Sequence, residues 1–314
     1  MKQSQSPFTV ILALASLGVA CAETSSIDPP RAPTGDPASA ARPATSATGA
    51  ASERPSPSLP QVDCSGWPTD RDPIVDVRSV PVRGAFAPTL LTRPASVRGF
   101  PGDLHVVLLR GAASIARGDS RAALTTWEVA RARGGAVSVV PEGSSACVVF
   151  ALSTELASLE VALGSKIAVD TSAPLEEIDL ARVPELTWSG GRASARLGFE
   201  GPGAALSVLS MAGDLAVAEH VHATSDEVLF GVSGAKWLYR AKAAGDDAIE
   251  REQGVLLEPG ATASVRAGVR HEASPFRGTG GAERFFALQL YTPGGPEQRF
   301  KALASADATS VPPR

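Results

Sequence analysis

The chain is poor in the residues that mark several common functions. Of its 314 residues only 5% are aromatic, and no stretch interleaves aromatic with basic side chains. The formal net charge is −4, so there is no basic footprint. Both absences argue against nucleic acid as a partner, because phosphate binding relies on clustered Lys and Arg. Long apolar runs are missing too: the one at Phe8–Ala20 covers 13 residues, too short to cross a bilayer comfortably. No Ser/His/Asp set and no phosphate-cradling glycine loop is visible. Histidine is scarce, with four in the whole chain, which makes the position of each informative. Core material is plentiful: 44% of residues are hydrophobic, over a length that accommodates about two domains.

Lys2 followed by the apolar run Phe8–Ala20 reads as an export signal over residues 1–22. Two processing routes fit it. Ala20-Cys21-Ala22 allows small-x-small cleavage after Ala22. Leu17-Gly18-Val19-Ala20-Cys21 resembles a bacterial lipobox, in which Cys21 is lipidated and becomes the first mature residue; Gly18 stands where that motif usually has Leu. Either route places the mature protein outside the cytoplasm, in the periplasm, on the outer membrane as a lipoprotein, or beyond the cell. A single lipidated cysteine tethers without spanning, so the expected membrane contact is that anchor alone. With Cys21 lipidated or removed, Cys64 and Cys147 are left over. In an oxidising compartment they can pair, clipping the start of the ordered region onto a predicted strand. Alternatively, Cys147 is a small buried apolar residue and Cys64 a surface thiol.

Residues 23–71 are expected to be a disordered linker. The part from Glu23 to Gln61 is Pro, Ala, Ser, Thr and Arg with almost no large apolar residue. Such a segment cannot bury enough surface to offset its chain entropy, and its prolines make it an extended spacer. After Asp63 short β-type runs appear, punctuated by Gly, Pro and Asp: Ile74–Val77, Leu104–Leu109, Ala136–Val140, Val148–Leu152, Leu206–Met211, Val228–Phe230, Val255–Leu257 and Phe285–Leu290. This rhythm predicts an all-β sandwich or barrel. A helical period is found only in Ser120–Arg133 and Leu175–Arg182, and the first reads equally as a strand pair with an Arg-rich face. Phe300 is expected to pack as part of a closing arm, and the small polar tail 305–314 to fray.

The stretch that carries chemistry is Glu219-His220-Val221-His222-Ala223-Thr224-Ser225-Asp226-Glu227, closing at Gly234. In a strand, alternate side chains share a face, so His220 and His222 point the same way. Glu227 can return to the same place after a turn. Two neutral imidazoles and a carboxylate suit one divalent transition metal such as Fe, Mn, Ni, Cu or Zn. The complete pattern, H-x-H-x4-E-x6-G, resembles the first motif of the cupin superfamily. The second cupin motif, G-x5-P-x-G-x2-H-x3-N, is similar to Gly260–His271, with Arg266 at the turn proline and Pro275 at the closing Asn. The resemblance implies a metal held by His220, His222, Glu227 and His271. A second copy is similar in its turns alone. Gly135-Ala-Val-Ser-Val-Val-Pro141-Glu142-Gly143-Ser144-Ser145-Ala146 has the spacing of the second motif, but Ala146 occupies the histidine position. Leu104–Gly111 looks like the end of a first motif with no His-x-His before it, and His105 alone makes no site.

The resemblance therefore implies two tandem jelly-roll-like barrels. The first, over residues 72–170, is degenerate, and the second, over 171–304, binds the metal. It also implies a small-molecule ligand, since four protein ligands leave positions open on a metal that prefers about six. The class of chemistry includes dioxygenases, decarboxylases and sugar isomerases; a non-catalytic binding or sensing module of the cell envelope is the other reading. No acid or base beyond the ligands stands out: Glu219 and Glu272 alternate away from the ligand face. Gln289 and Tyr291, which share a strand face, and Tyr239 are candidate substrate contacts. A homodimer through barrel edges fits the resemblance, as does mutual coverage of those edges by the two barrels.

Overall fold

The computed structural model describes residues 58–69, 84–153, 174–242, 254–276 and 283–310. The export signal, Cys21, most of the linker and the expected strand Ile74–Val77 lie outside these residues. The described chain is a succession of antiparallel strands ending in one helix. The strands are β1 (Ala85–Leu91), β2 (Ala95–Arg117), β3 (Ser120–Thr125), β4 (Glu128–Leu152), β5 (Glu176–Asp179), β6 (Glu185–Trp188), β7 (Ala193–Phe199), β8 (Ala205–Ala212), β9 (Val217–His220), β10 (Asp226–Gly234), β11 (Trp237–Lys242), β12 (Val255–Leu257), β13 (Thr262–Val265), β14 (Arg270–Pro275) and β15 (Arg284–Thr292). The helix α1 spans Gln298–Ser310. No helix among the described residues is long and apolar enough to cross a membrane.

Two very long strands make the first barrel. β2 and β4 run for 23 and 25 residues, and each bends back on the other. Leu104 pairs with both Ala132 and Leu152, so β2 is flanked by the two halves of β4. Val139 in turn pairs with both Ala95 and Ile115, the two ends of β2. The two strands are thereby folded over each other, with β1, β3 and β5 added at the ends of the sheet. Side chains alternate between two destinations. Leu104, Val106, Leu108, Val148 and Phe150 fill the barrel interior, whereas Val107, Leu109, Cys147 and Val149 face outward into a second core.

The second barrel is two sheets face to face. One has the order β13-β10-β15-β8-β7-β6 and the other β12-β11-β14-β9. Here too the alternation splits each strand. Leu229, Phe285, Ala287 and Tyr291 lie inside, while Val228, Phe230, Leu288 and Leu290 join Val107, Val149 and their neighbours in the outward core. That shared core is a seam between the barrels, and it makes them one folding unit. His105 lies here. It is fully buried, with its ring 5.4 Å from Phe199, and burial together with the nearby Arg131 pushes its pKa down to about 3. It is a neutral packing residue.

The glycines of the two motif copies adopt matching conformations. Gly111 and Gly234, which end the first motif in each barrel, have φ of 93° and 88°. At Gly234 a Cβ would stand 1.7 Å from the Arg284 carbonyl oxygen, so both the φ and the contact demand glycine. The repeat seen in sequence is thus a repeat of backbone shape.

Several expectations need correction. The chain is docked before the expected end of the linker: Val62, Cys64 and Trp67 are buried in the seam. Trp67 meets Phe230 edge-on at 5.6 Å, and Cys64 is bonded to Cys147, Cα to Cα 6.2 Å. Of the two readings of Ser120–Arg133 the strand one holds, with β3 and the start of β4 each bonded to β2, and Leu175–Arg182 contains strand β5, which adds to β4. Both segments satisfy their backbone groups through neighbouring strands, which overrides a modest local period. The expected fraying tail is helical through Ser310. Pro296 and Glu297 start that helix, with Glu297 accepting from the Gly295 N–H at 2.5 Å. Phe300 packs as expected, stacked on Trp188 at 5.2 Å.

Candidate metal centre

His220, His222, Glu227 and His271 meet between the two sheets of the second barrel. β9 ends at His220, and β14 pairs directly with it, so that His271 lies opposite His220. β10 brings Glu227 from the other sheet. His222 follows in the loop after β9, where its carbonyl accepts from Gly268 N–H at 2.8 Å. The same loop is held by Asp226, whose carboxylate accepts from Ala267 N–H at 2.9 Å. The turn at 266–269 thus forms with Arg266 in place of proline, and it anchors one motif to the other. The imidazole rings of His220 and His271 are 4.1 Å apart, and His222 is 4.9 Å from each.

The donor set fits a cation. One ligand atom from each of the four residues lies within 4.8 Å of the others, close to what one ion bridges with bonds of about 2.0–2.2 Å. Nδ1 of His220 is 2.9 Å from the Ala218 carbonyl, and Nδ1 of His271 is 3.0 Å from that of Val269. A carbonyl only accepts, so each Nδ1 carries the proton and each Nε2 presents a lone pair. Nε2 of His271 nevertheless stands 3.0 Å from a Glu227 oxygen, itself an acceptor, and Nε2 of His222 stands 3.6 Å from it. Both nitrogens are buried and lack a hydrogen-bond partner. Lone pairs converging in a dry site call for positive charge among them.

Proton affinities agree with that reading. Burial lowers the His220 pKa to about 4, reinforced by His271, so the ring is neutral at ordinary pH. On Glu227 burial opposes the charge; hydrogen bonds and positive charge from His222 and His271 hold the carboxyl well below the usual range, a role that passes to a bound cation when their Nε2 atoms carry lone pairs.

The three candidate substrate contacts also reach this place. Tyr239 donates from its hydroxyl to Glu227 at 2.9 Å. The Gln289 amide donates to the other Glu227 oxygen and, at 2.9 Å, to the Tyr291 hydroxyl. Its own carbonyl accepts from Ser207 at 3.3 Å. Burial, then the Glu227 charge, raises both tyrosine pKa values well above normal, so the phenols stay protonated. These groups fix the orientation of a ligand carboxylate, as outer partners of metal sites do. Tyr239 and Gln289 also border a cavity of about 410 Å³ that opens beside His220 and Glu227. Tyr291 instead packs on His222, ring to ring at 5.0 Å.

Glu219 is exposed as expected and binds Arg270. Glu272, expected outside, contributes to the cavity wall while paired with Arg240 at 3.1 Å. Arg299, on α1, borders the cavity as well. Pro296-Glu297 could have signalled its helix, but nothing local to Arg299 announced its place over the site. In the first barrel the corresponding interior is apolar, with Ala146 buried at the histidine position. Among the described residues no other group of His, Cys, Asp or Glu could hold a metal.

No protein-family model and no curated protein sequence matches the chain. Solved structures do. An oxalate decarboxylase, studied for a reaction-specificity switch, superposes with a TM-score of 0.51 at 10% identity, covering 68% of this chain and 70% of that one. The oxalate decarboxylase of Bacillus subtilis, studied for its Mn(II) centres, gives 0.50 at 10% identity over the same shares. A cupin 2 conserved barrel domain protein from Leptotrichia buccalis gives 0.42 at 11% identity, covering 67% and 84%. At 10% identity the two oxalate decarboxylase likenesses speak for the fold and leave the chemistry to the site.

Proposed function

We propose that this chain, a two-barrel protein of cupin fold, binds one divalent transition metal in its second barrel and uses it in a dioxygenase-type oxidation of an oxygenated organic molecule. The observation that carries the metal is the buried convergence of His222 Nε2, His271 Nε2 and the Glu227 carboxylate. A bound metal would supply open positions where substrate and dioxygen can meet. The protein would supply the rest. Tyr239 and Gln289 hold Glu227 in place, and the Nδ1–H bonds of His220 and His271 aim their lone pairs inward. Manganese is the first metal to try, given the Mn(II) centres named for the Bacillus subtilis enzyme.

A second reading is a metal-dependent binding or sensing protein. One observation favours it. Apart from the ligands and Tyr239, the titratable side chains on the cavity are Glu272, tied to Arg240, and Arg299. Neither is a free general base, which most turnover chemistry needs. An oxygen electrode separates the readings. Fe(II)- or Mn(II)-loaded full-length protein is mixed with a panel of phenols, organic acids including oxalate, and sugars. Oxygen uptake with any member, abolished by His222→Ala, is the expected result. Full metal occupancy without uptake or conversion across the panel would leave only the binding reading.

The same reading places the protein outside the cytoplasm, on a lipid anchor at Cys21. Supporting it are the apolar run Phe8–Ala20 and the Cys64–Cys147 bridge, since disulfides persist in oxidising compartments. Expressed in a Gram-negative host, the protein is expected in the detergent phase of a Triton X-114 partition, and Cys21→Ser in the aqueous phase. Recovery of the unaltered protein from the cytosol with its leader intact would sink the idea. A homodimer would have to use faces other than the seam, which the chain covers itself.

A further inference from the structure

We infer that the cavity beside the metal centre is built for an amphipathic organic acid, with its carboxylate at the His220–Glu227 end and an apolar, ring-sized body behind. The inference rests on the metal reading above and adds the class of ligand. Size is the first ground. A cavity of about 410 Å³ has room for about 14 waters at ~30 Å³ each, and it falls in the range of sites that enclose drug-sized molecules. A two-carbon acid would leave most of it to water. The walls do not suit water. Trp188, Met211, Leu229, Leu257, Phe285 and Phe300 are among its lining residues, and such walls gain from contact with hydrocarbon.

Polar groups then orient the ligand. Arg299 borders the cavity, is exposed, and has no carboxylate partner among the described residues. It lines the same cavity as His220 and Glu227. The acidic wall residue outside the ligand set, Glu272, is already paired with Arg240. An incoming anion therefore meets a cation that no carboxylate among the described residues pairs with, and a guanidinium matches a carboxylate in shape as well as charge. Farther in, the Trp237 side chain is fully buried on the wall, and its indole N–H has no partner. It lies two residues along β11 from Tyr239, a distance of about 7 Å. An acceptor oxygen on the ligand body would satisfy it.

The helix α1 completes the site. Arg299 and Phe300 are neighbours in its first turn, one facing the anion and the other stacked on Trp188.

Isothermal titration of full-length, Mn(II)-loaded protein tests the idea, with metal content measured by elemental mass spectrometry on the same sample. The probes are 3-phenylpropanoate, 3-phenylpropan-1-ol and oxalate. The acid is expected to bind at least about tenfold more tightly than either of the others, because the alcohol lacks the charge and oxalate lacks the body. Arg299→Gln, a change at an exposed position that folding tolerates, is expected to weaken the acid about tenfold. It should leave the alcohol and the metal content unchanged, and Arg299→Lys should restore part of the loss. If fully metallated protein binds oxalate as tightly as 3-phenylpropanoate, or if Arg299→Gln leaves the acid's affinity unaltered, the inference is wrong and the metal centre stands. If the protein takes up neither manganese nor Fe, Ni, Cu or Zn in its place, the metal reading falls and the inference falls with it.

Discussion

Protein purified without a histidine tag is expected to carry one transition-metal ion per chain, and the His220→Ala/His222→Ala double variant none. The size of this effect follows from geometry. The wild-type site offers three imidazole lone pairs and a carboxylate in a buried pocket, and the double variant keeps only Glu227 and His271, which cannot enclose an ion. Intermediate losses should come from behind the ligands. Gln289→Leu and Tyr239→Phe each remove a donor from Glu227 without touching the imidazoles, and loss of such an outer partner typically costs 10–100-fold in metal affinity. Elemental mass spectrometry and competition with a chelator give both numbers. Wild-type protein that stays metal-free after reconstitution with Fe, Mn, Ni, Cu and Zn would overturn the assignment. A double variant that retains full stoichiometry would do the same.

Breaking the Cys64–Cys147 bridge should lower stability substantially while leaving metal content intact. The two cysteines are 83 residues apart in sequence. Loop-closure entropy for a span of that size sets an upper figure of about 4–5 kcal/mol, and measured values are typically about 2–4. At roughly 2–4 °C per kcal/mol for a chain of this size, Cys64→Ala/Cys147→Ala should melt about 10 °C lower than wild type. Reduction should first release the segment carrying Val62 and Trp67, because its buried contacts lie in the seam beside the bridge. Hydrogen exchange at residues 58–69 would then rise before exchange in β10 or β15. The metal site is in the other face of those strands, so its occupancy should not change. Equal melting temperatures with and without the bridge would show that the docked segment holds by packing alone.

The site was legible in sequence because its parts are local. His220 and His222 are two residues apart, Glu227 follows within one turn, and Gly260–His271 repeats a spacing that sets a strand after a tight turn. Two long-range facts still lay beyond it. Glu227 is on one sheet, His220 on the other and His222 in the loop after it, and only the folded barrel says how far apart their donors stand. Arg299 acquires its significance from a helix that folds over a cavity, which no spacing encodes. The first barrel shows another limit. Gly134, Gly135 and Pro141 read as strand breaks, yet β4 runs through them. At barrel corners a strand bends sharply, and glycine or proline is tolerated there without ending it. Segments read as separate strands were halves of one.

The alternation of side chains in the first barrel has a consequence for how such a protein can change over time. Along β2 and β4, one parity looks into the barrel and the other looks out to the neighbouring barrel. A substitution at an inward position, such as 146, alters only the inward set. The outward set, with Val107, Leu109 and Val149, continues to cover the partner. The two duties can drift independently, and one half of the molecule can retire from chemistry while remaining indispensable as a wall.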